Sequence, residues 1–173
     1  NKRSIRLDLK APDGAEVLRR LLARSDVLVE NLRVGGLDRL GFDEAELARI
    51  NPRLEHLAIT GFGPTGPEAE RPGYDFAIQA MAGLMSITGF PDAEGGGPTK
   101  VGVAISDIVT GLLGAVAVLS ALVGQTRGTM AAARAGQRID VSILESTLAI
   151  LANQPVRQGD VEAEGPRVGV HLL

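Results

Sequence analysis

The spacing of hydrophobic and polar residues changes from element to element in the first part of the chain. Residues 5–9 carry apolar side chains at every second position, which is the period of a half-exposed strand. Residues 15–24 carry apolar side chains at helical spacing, with arginines on the other face, and so predict an amphipathic helix. Residues 26–30 predict a short buried strand. This order predicts a βαβ unit with a parallel sheet.

The rest of the chain continues with predicted helices and strands separated by loops rich in glycine and proline. The predicted helices cover 37–40, 43–50, 74–87, 108–126 and 144–152. The predicted strands cover 54–60 and 139–142. A loop at 61–67 follows a strand at its carboxyl end, where open α/β sheets bind ligands. Residues 89–97 and 125–137 are predicted to be loops, and the last twenty residues show no clear period.

The segment 108–126 contains no charged residue and approaches the length of a membrane span. Small residues dilute its hydrophobicity, and no Trp or Tyr marks either end as an interfacial anchor would. We therefore interpret it as a buried core helix of an α/β domain, and we expect no membrane partner.

Composition narrows the classes of function. The chain of 173 residues is 45% hydrophobic and 23% charged, as expected for a soluble globular protein. Its net charge of −3 and aromatic content of 3% argue against a nucleic-acid partner. The sequence has no cysteine, and neither His56 nor His171 has metal-ligand spacing, so we expect no metal site. The first residues lack the apolar stretch of a signal peptide, and we expect a cytoplasmic protein.

Asp107 comes directly before the long apolar segment. An aspartate at such a place is most often a helix N-cap, with its side chain on the amides of the first turn. A carboxylate can instead be a nucleophile when it is oriented and partly desolvated. The spacing alone leaves both interpretations open.

Several segments, in the same order along the chain, resemble family III CoA-transferases, the group that includes formyl-CoA and carnitine-CoA transferases. They are residues 1–5, 7–10, 26–31, 51–54, 73–75 and 136–141. The resemblance implies an internal fragment with an α/β fold, a Rossmann-like parallel sheet flanked by helices in the family's large domain. It also implies that residues 1–153 form part of this CoA-binding domain. Residues 154–173 would be a tail or the start of the connection to a missing small domain.

The same resemblance implies which residues act. Asp107 matches the aspartate that attacks the acyl-CoA thioester and forms an acyl-aspartyl anhydride. The residues matching CoA-binding positions are Leu7, Asp8, Leu9, Lys10, Asn31, Leu32, Arg33, Arg39, Pro72, Gly73, Tyr74 and Asp75. Each of the four segments that contain these residues also has a simpler structural interpretation. Lys10 would be a solvated lysine on an edge strand, Asn31 part of an ordinary turn, and Arg39 an exposed helix arginine. Tyr74 would be a hydrophobic staple at the N-terminus of its helix.

The implied function is transfer of CoA from an acyl-CoA donor to a carboxylic acid acceptor, through an aspartyl-acyl anhydride and an aspartyl-CoA thioester. Coenzyme A enters as a substrate, no prosthetic group is expected, and the full-length protein would be an interlocked homodimer. One alternative is an α-methylacyl-CoA racemase, which carries His where this chain has Tyr74; a phenol is a poor proton acceptor at neutral pH. Another is a catalytically incomplete fragment, which would expose normally covered surface.

Overall fold

The protein is an α/β chain with five α-helices and three strands in the residues that the computed structural model describes, 2–127 and 135–152. The helices are α1 (Pro12–Leu22), α2 (Glu44–Ile50), α3 (Asp75–Met81), α4 (Ile105–Arg127) and α5 (Ile143–Ile150). The strands are β1 (Val27–Glu30), β2 (Glu55–Thr60) and β3 (Arg138–Ser142), and 3-10 turns cover Asp38–Leu40, Leu84–Ile87 and Asp92–Glu94. The strands form one sheet in the order β1-β2-β3, and β1 runs parallel to β2.

Most elements predicted from periodicity are confirmed, with ends displaced by a few residues. Helix α1 starts three residues earlier than predicted because a proline is well suited to the first turn, where its missing N–H has no helical acceptor. Helix α5 begins after Ser142, whose hydroxyl accepts the Glu145 N–H and donates to the Glu145 carboxylate at 2.8 Å. This reciprocal cap, with its Ser-x-x-Glu spacing, defines the junction between β3 and α5.

The predicted strand at residues 5–9 is wrong. These residues have no regular secondary structure, and Ile5 is 64% exposed. Alternating hydrophobicity produces a strand only where a neighbouring strand supplies hydrogen bonds, and the described residues offer this segment no such neighbour. The parallel pair consists instead of β1 and β2, with Val27 opposite Glu55.

The single helix predicted over 74–87 is also wrong, because the chain breaks it into two. Helix α3 ends at Met81, and Gly83 adopts φ +83°, a left-handed conformation that glycine tolerates best. The 3-10 turn Leu84–Ile87 follows it. A 3-10 turn, Asp92–Glu94, likewise interrupts the loop predicted at 89–97.

Helix α4 differs from its prediction in extent and in burial. It begins at Ile105 and ends at Arg127, so it takes in the start of the loop predicted at 125–137. The interpretation as a core helix is wrong: only 11% of its most apolar window is buried by the described residues. Its buried positions are small or polar, whereas Leu112 and Leu119 are each 63% exposed. By length and composition alone, α4 could cross a membrane.

The chain divides into two compact units. The first unit comprises Asn1–Ala58 and Val116–Ile139, and the second comprises Ile59–Ala115 and Asp140–Leu173. Phe42, which is fully buried, lies in the core of the first unit with Leu22 and Leu47. The second unit has a smaller core of Ala82, Leu84 and Leu151, and α3 packs there against α5. The predicted tail, 154–173, lies outside the described residues.

Helices α1 and α2 of the first unit are joined by charged side chains. The Arg19 Nε donates to Glu46 at 2.9 Å, and the Arg19 guanidinium lies 5.2 Å from the centroid of the Phe42 ring. Hydrogen bonds from Arg49 and then from Arg19 lower the pKa of Glu46 to about 2. Glu46 therefore stays ionised and paired over the whole neutral and mildly acidic pH range.

The first unit also buries a carboxyl group in its sheet. Glu55, the first residue of β2, is fully buried, and its Oε2 accepts the Gln137 N–H at 3.2 Å. Burial raises the pKa of Glu55, because the charged form loses hydration that the hydrogen bonds only partly replace.

Candidate active site

Asp107 is the third residue of α4 and is exposed. It lies inside the first turn, so it is not the N-cap that its spacing alone would favour. Its carboxylate oxygens accept no hydrogen bond from any residue that the structure describes. The side chain is therefore available to react with a ligand, whereas a capping carboxylate would be occupied by backbone amides.

Asp75, at the first position of α3, holds the backbone of Asp107. The Asp75 side chain is buried, and its Oδ2 accepts the Asp107 N–H at 3.1 Å. The N–H groups in the first turn of a helix have no acceptor within the helix, so a carboxylate from another element is a favourable partner for one of them. Asp75 thus takes the capping role and leaves the Asp107 carboxylate unused.

The pKa of Asp107 is raised, first by partial desolvation of its carboxyl and second by repulsion from Asp75. Both effects disfavour the ionised form, which is the form that acts as a nucleophile. An aspartate with a raised pKa that is still exposed to a ligand is typical of functional sites.

Gln79 completes this cluster from the next turn of α3. It is fully buried, and its Nε2 donates to Asp75 Oδ1 at 2.5 Å. Its Oε1 accepts the Val101 N–H at 2.9 Å, and its Nε2 lies 3.4 Å from the Val103 carbonyl oxygen. One side chain therefore contacts both the carboxylate that holds Asp107 and the segment that leads into α4.

The segment 72–75 enters α3 across a close backbone contact. A Cβ atom built on Gly73 would lie 2.4 Å from the Gly61 Cα, so neither residue can carry a side chain without movement. Tyr74 follows as the N-cap of α3, with extended backbone and 71% exposure. Its ring therefore does not pack as a helix staple, and Pro72 is exposed as well. The structure brings this segment and Asp107 into one unit.

The profile of CoA-transferase family III matches residues 1–171 of the sequence. The chain belongs to CoA-transferase family III. This membership confirms the resemblance drawn from six short segments.

Two curated relatives and one solved structure show how far the similarity extends. Succinate–glutarate CoA-transferase of Agrobacterium fabrum is 46% identical over 153 residues, which are 88% of this chain and 36% of the relative. Acetyl-CoA:oxalate CoA-transferase of Acetobacter aceti is 44% identical over 151 residues, 87% of this chain and 37% of the relative. A CaiB/BaiF family protein from Brucella suis matches with a TM-score of 0.85 and 44% identity, covering 95% of this chain and 41% of that one. The chain thus spans little more than a third of the length of these relatives.

The remaining positions that match CoA-binding residues of the family lie in the first unit. Residues 7–10 form an irregular segment that ends in a turn, where the Lys10 N–H donates to Asp8 Oδ1 at 3.0 Å. Leu7 and Leu9 are half-buried, and Lys10 is exposed. The Lys10 ammonium group is therefore accessible to an anion. Lys10 lies on a loop, whereas its alternative interpretation requires an edge strand.

The turn after β1 contains Asn31, Leu32 and Arg33, all of them exposed. The Leu32 N–H already donates to the Glu30 carboxylate at 2.6 Å, so an anion that binds this amide has to displace Glu30. Arg39 is also exposed, and the only hydrogen bond of its side chain among the described residues runs to the Val34 carbonyl oxygen at 3.3 Å. Its guanidinium retains further donors for a phosphate.

Two further observations complete the site. No cluster of three or more metal-ligating side chains occurs among the side chains that the structure describes. Gln79 was not identified from the sequence, although it stands four residues after Asp75, the spacing at which side chains meet on a helix. The helical spacing of apolar residues over 74–87 predicts a helix with an apolar face in the core. A glutamine in such a helix is predicted to lie on its surface.

Proposed function

We propose that this chain carries the nucleophile of an enzyme that transfers CoA from an acyl-CoA donor to a carboxylic acid acceptor. One observation carries the proposal: an exposed carboxylate, that of Asp107, stands in the first turn of α4 with its backbone held by Asp75 and its oxygens unpaired within the described chain. Family membership and the names of the curated relatives support the reaction class.

The proposed reaction has two symmetrical halves. An Asp107 oxygen attacks the thioester carbonyl, the C–S bond breaks, and CoA thiolate leaves an acyl-aspartyl anhydride. The thiolate then attacks the Asp107 carbonyl carbon, which gives an aspartyl-CoA thioester and releases the donor acid. The acceptor carboxylate attacks the carbonyl carbon of this thioester, the C–S bond breaks, and CoA thiolate leaves a second anhydride between Asp107 and the acceptor. The thiolate attacks its acceptor carbonyl and releases the new acyl-CoA and free Asp107.

The exchange of carboxylate oxygens between Asp107 and the two acids provides a direct test. In this sequence of steps, the donor acid departs with one Asp107 oxygen, and Asp107 regains one oxygen from the acceptor. Tryptic cleavage after Lys100 and Arg127 releases peptide 101–127, in which Asp107 is the only acidic side chain. After a single turnover with acceptor labelled with oxygen-18, we expect this peptide to gain one heavy oxygen, and repeated turnover should add a second.

The experiment uses a full-length polypeptide that contains these 173 residues, with succinyl-CoA or acetyl-CoA as donor and glutarate or oxalate as acceptor. The acceptors are chosen because they appear in the names of two relatives. Asp107→Asn should abolish both transfer and labelling while leaving CoA binding largely intact. Asp13→Asn is the matched control, because Asp13 is also an exposed aspartate in a first helical turn. Normal transfer by Asp107→Asn refutes the mechanism.

The racemase alternative is tested in the same preparation. Rapid exchange of the α-hydrogen of a 2-methylacyl-CoA in deuterated water, without CoA transfer, would favour proton abstraction over transfer. Tyr74 stands where the racemases carry His, and a phenol is mostly protonated at neutral pH, so we expect no such exchange. The homodimer that the resemblance implies is part of the same proposal, and light scattering on the full-length protein tests it.

A further inference from the structure

Gln79 is a fully buried polar residue in the second unit, and family membership leaves it without an assigned role. Its surroundings account for all of its hydrogen-bonding groups: the amide N–H groups face Asp75 and the Val103 carbonyl oxygen, and the amide oxygen accepts the Val101 N–H. Burying a glutamine amide requires such partners, because an unpaired one loses its hydration without compensation. An apolar residue would fill the same space in the core without that requirement.

These bonds hold the start of α4 at two points. Gln79 holds Val101, four residues before the helix, through the 2.9 Å bond to its backbone N–H. Asp75 holds the first turn itself, through the 3.1 Å bond to the Asp107 N–H. Because Gln79 also donates to the other oxygen of Asp75, both attachments depend on this one amide group. The direction of the Asp107 side chain follows from where its backbone is held.

We propose that Gln79 is a positioning residue for CoA transfer, which acts by orienting the Asp75 carboxylate and the 101–103 segment that together hold Asp107 in place for attack. This inference rests on the proposed function. Gln79 does not touch the reacting atoms itself; its effect reaches them through Asp75 and the backbone. Reacting groups have to be held within a fraction of an ångström, so loosening either attachment lowers the rate of the chemical step.

The plainer explanation is that Gln79 only stabilises the fold. The two explanations differ in which kinetic constant changes. A purely structural residue lowers the melting temperature but leaves kcat intact in the protein that remains folded. A positioning residue lowers kcat in folded protein and leaves KM for acyl-CoA nearly unchanged, since ground-state binding does not need the Asp107 orientation.

Two substitutions separate the attachments. Gln79→Met keeps the side-chain length and volume but removes every hydrogen bond. Gln79→Glu keeps an oxygen for the Val101 N–H but places an acceptor, and at neutral pH a like charge, against Asp75. We expect both variants of the full-length protein to lose kcat by about 100-fold, with succinyl-CoA and glutarate as substrates.

Gln125→Met is the matched control. Gln125 is a buried glutamine of the first unit, whose Nε2 donates to the Arg53 carbonyl oxygen at 2.7 Å, so its replacement removes a comparable buried bond. We expect this variant to lose stability and retain kcat. Near-normal kcat in Gln79→Met, or a loss confined to KM, overturns the positioning role. If Gln79→Met does not fold, Gln79→Glu decides the question: normal kcat in that variant also overturns the role.

Asp107→Asn, measured alongside, separates this inference from the proposed function. If that variant transfers CoA normally, the nucleophile is wrong and the positioning role falls with it. If it is inactive while both Gln79 variants work normally, the nucleophile stands and only the positioning role is refuted.

Discussion

Replacing Gly73 by alanine should disable the site through backbone displacement alone. The added Cβ would lie 2.4 Å from the Gly61 Cα, whereas non-bonded carbons are most stable at about 3.5–4.0 Å. The two segments therefore have to separate by about 1 Å, and overpacking of this kind costs about 1–3 kcal/mol of stability. Gly73 lies two residues before Asp75, whose carboxylate holds the Asp107 N–H, so the displacement reaches the proposed nucleophile.

A misplacement of about 1 Å near reacting groups can cost about 100-fold in rate. We therefore expect Gly73→Ala to lower kcat/KM for CoA transfer by that factor and to lower the melting temperature, as measured by steady-state kinetics and thermal denaturation of the full-length protein. Gly97→Ala is the control, because a Cβ there meets no atom within 4 Å and Gly97 needs no left-handed backbone. Unchanged kcat/KM and melting temperature in Gly73→Ala would show that the close contact does not determine the geometry of the site.

Two predictions concern the stability of the fold. The pKa of Glu55 is raised by burial, so its ionisation destabilises the folded state as pH rises through that value, and the penalty is absent below the ordinary glutamate pKa of about 4.3. Glu55→Gln should therefore melt higher than the parent protein at about pH 8, with the difference disappearing below about pH 4; a pH-independent difference would contradict this reasoning. Ser142→Ala should lower the free energy of unfolding by about 1 kcal/mol through loss of the α5 cap. Ser142→Thr should retain most of it, and equal denaturation midpoints for the alanine variant and the parent would refute the cap's contribution.

Local chemistry was enough to predict the helices and strands whose signals lie within a few residues. Helix α2 follows from helical spacing of apolar residues and from Asp43, whose side chain accepts the Glu46 N–H as a cap. Strand β2 follows from a short apolar run between turn signals. The six segments that resemble family III were also readable directly, because each is a short run of consecutive residues.

The predictions that were wrong concern features that depend on residues far away in the sequence. Residues 5–9 have the alternation of a strand, but a strand also needs a neighbour with free N–H and C=O groups. Helix α4 has the hydrophobicity of a core helix, but burial depends on what packs against it, and its large side chains are exposed in the described chain. Hydrophobicity measures how favourable burial would be, not whether a partner is present.

The sequence by itself determined the fold class and the family, because these depend on periodicity and on motifs that are each short and local. It named Asp107 as the candidate nucleophile only through the resemblance to that family. The tertiary structure alone decided what surrounds that candidate residue. Asp75 and Asp107 are separated by 32 positions, and Gln79 and Val101 by 22. Hydrogen bonds over such separations form only after the chain has folded, and local spacing carries no information about their geometry.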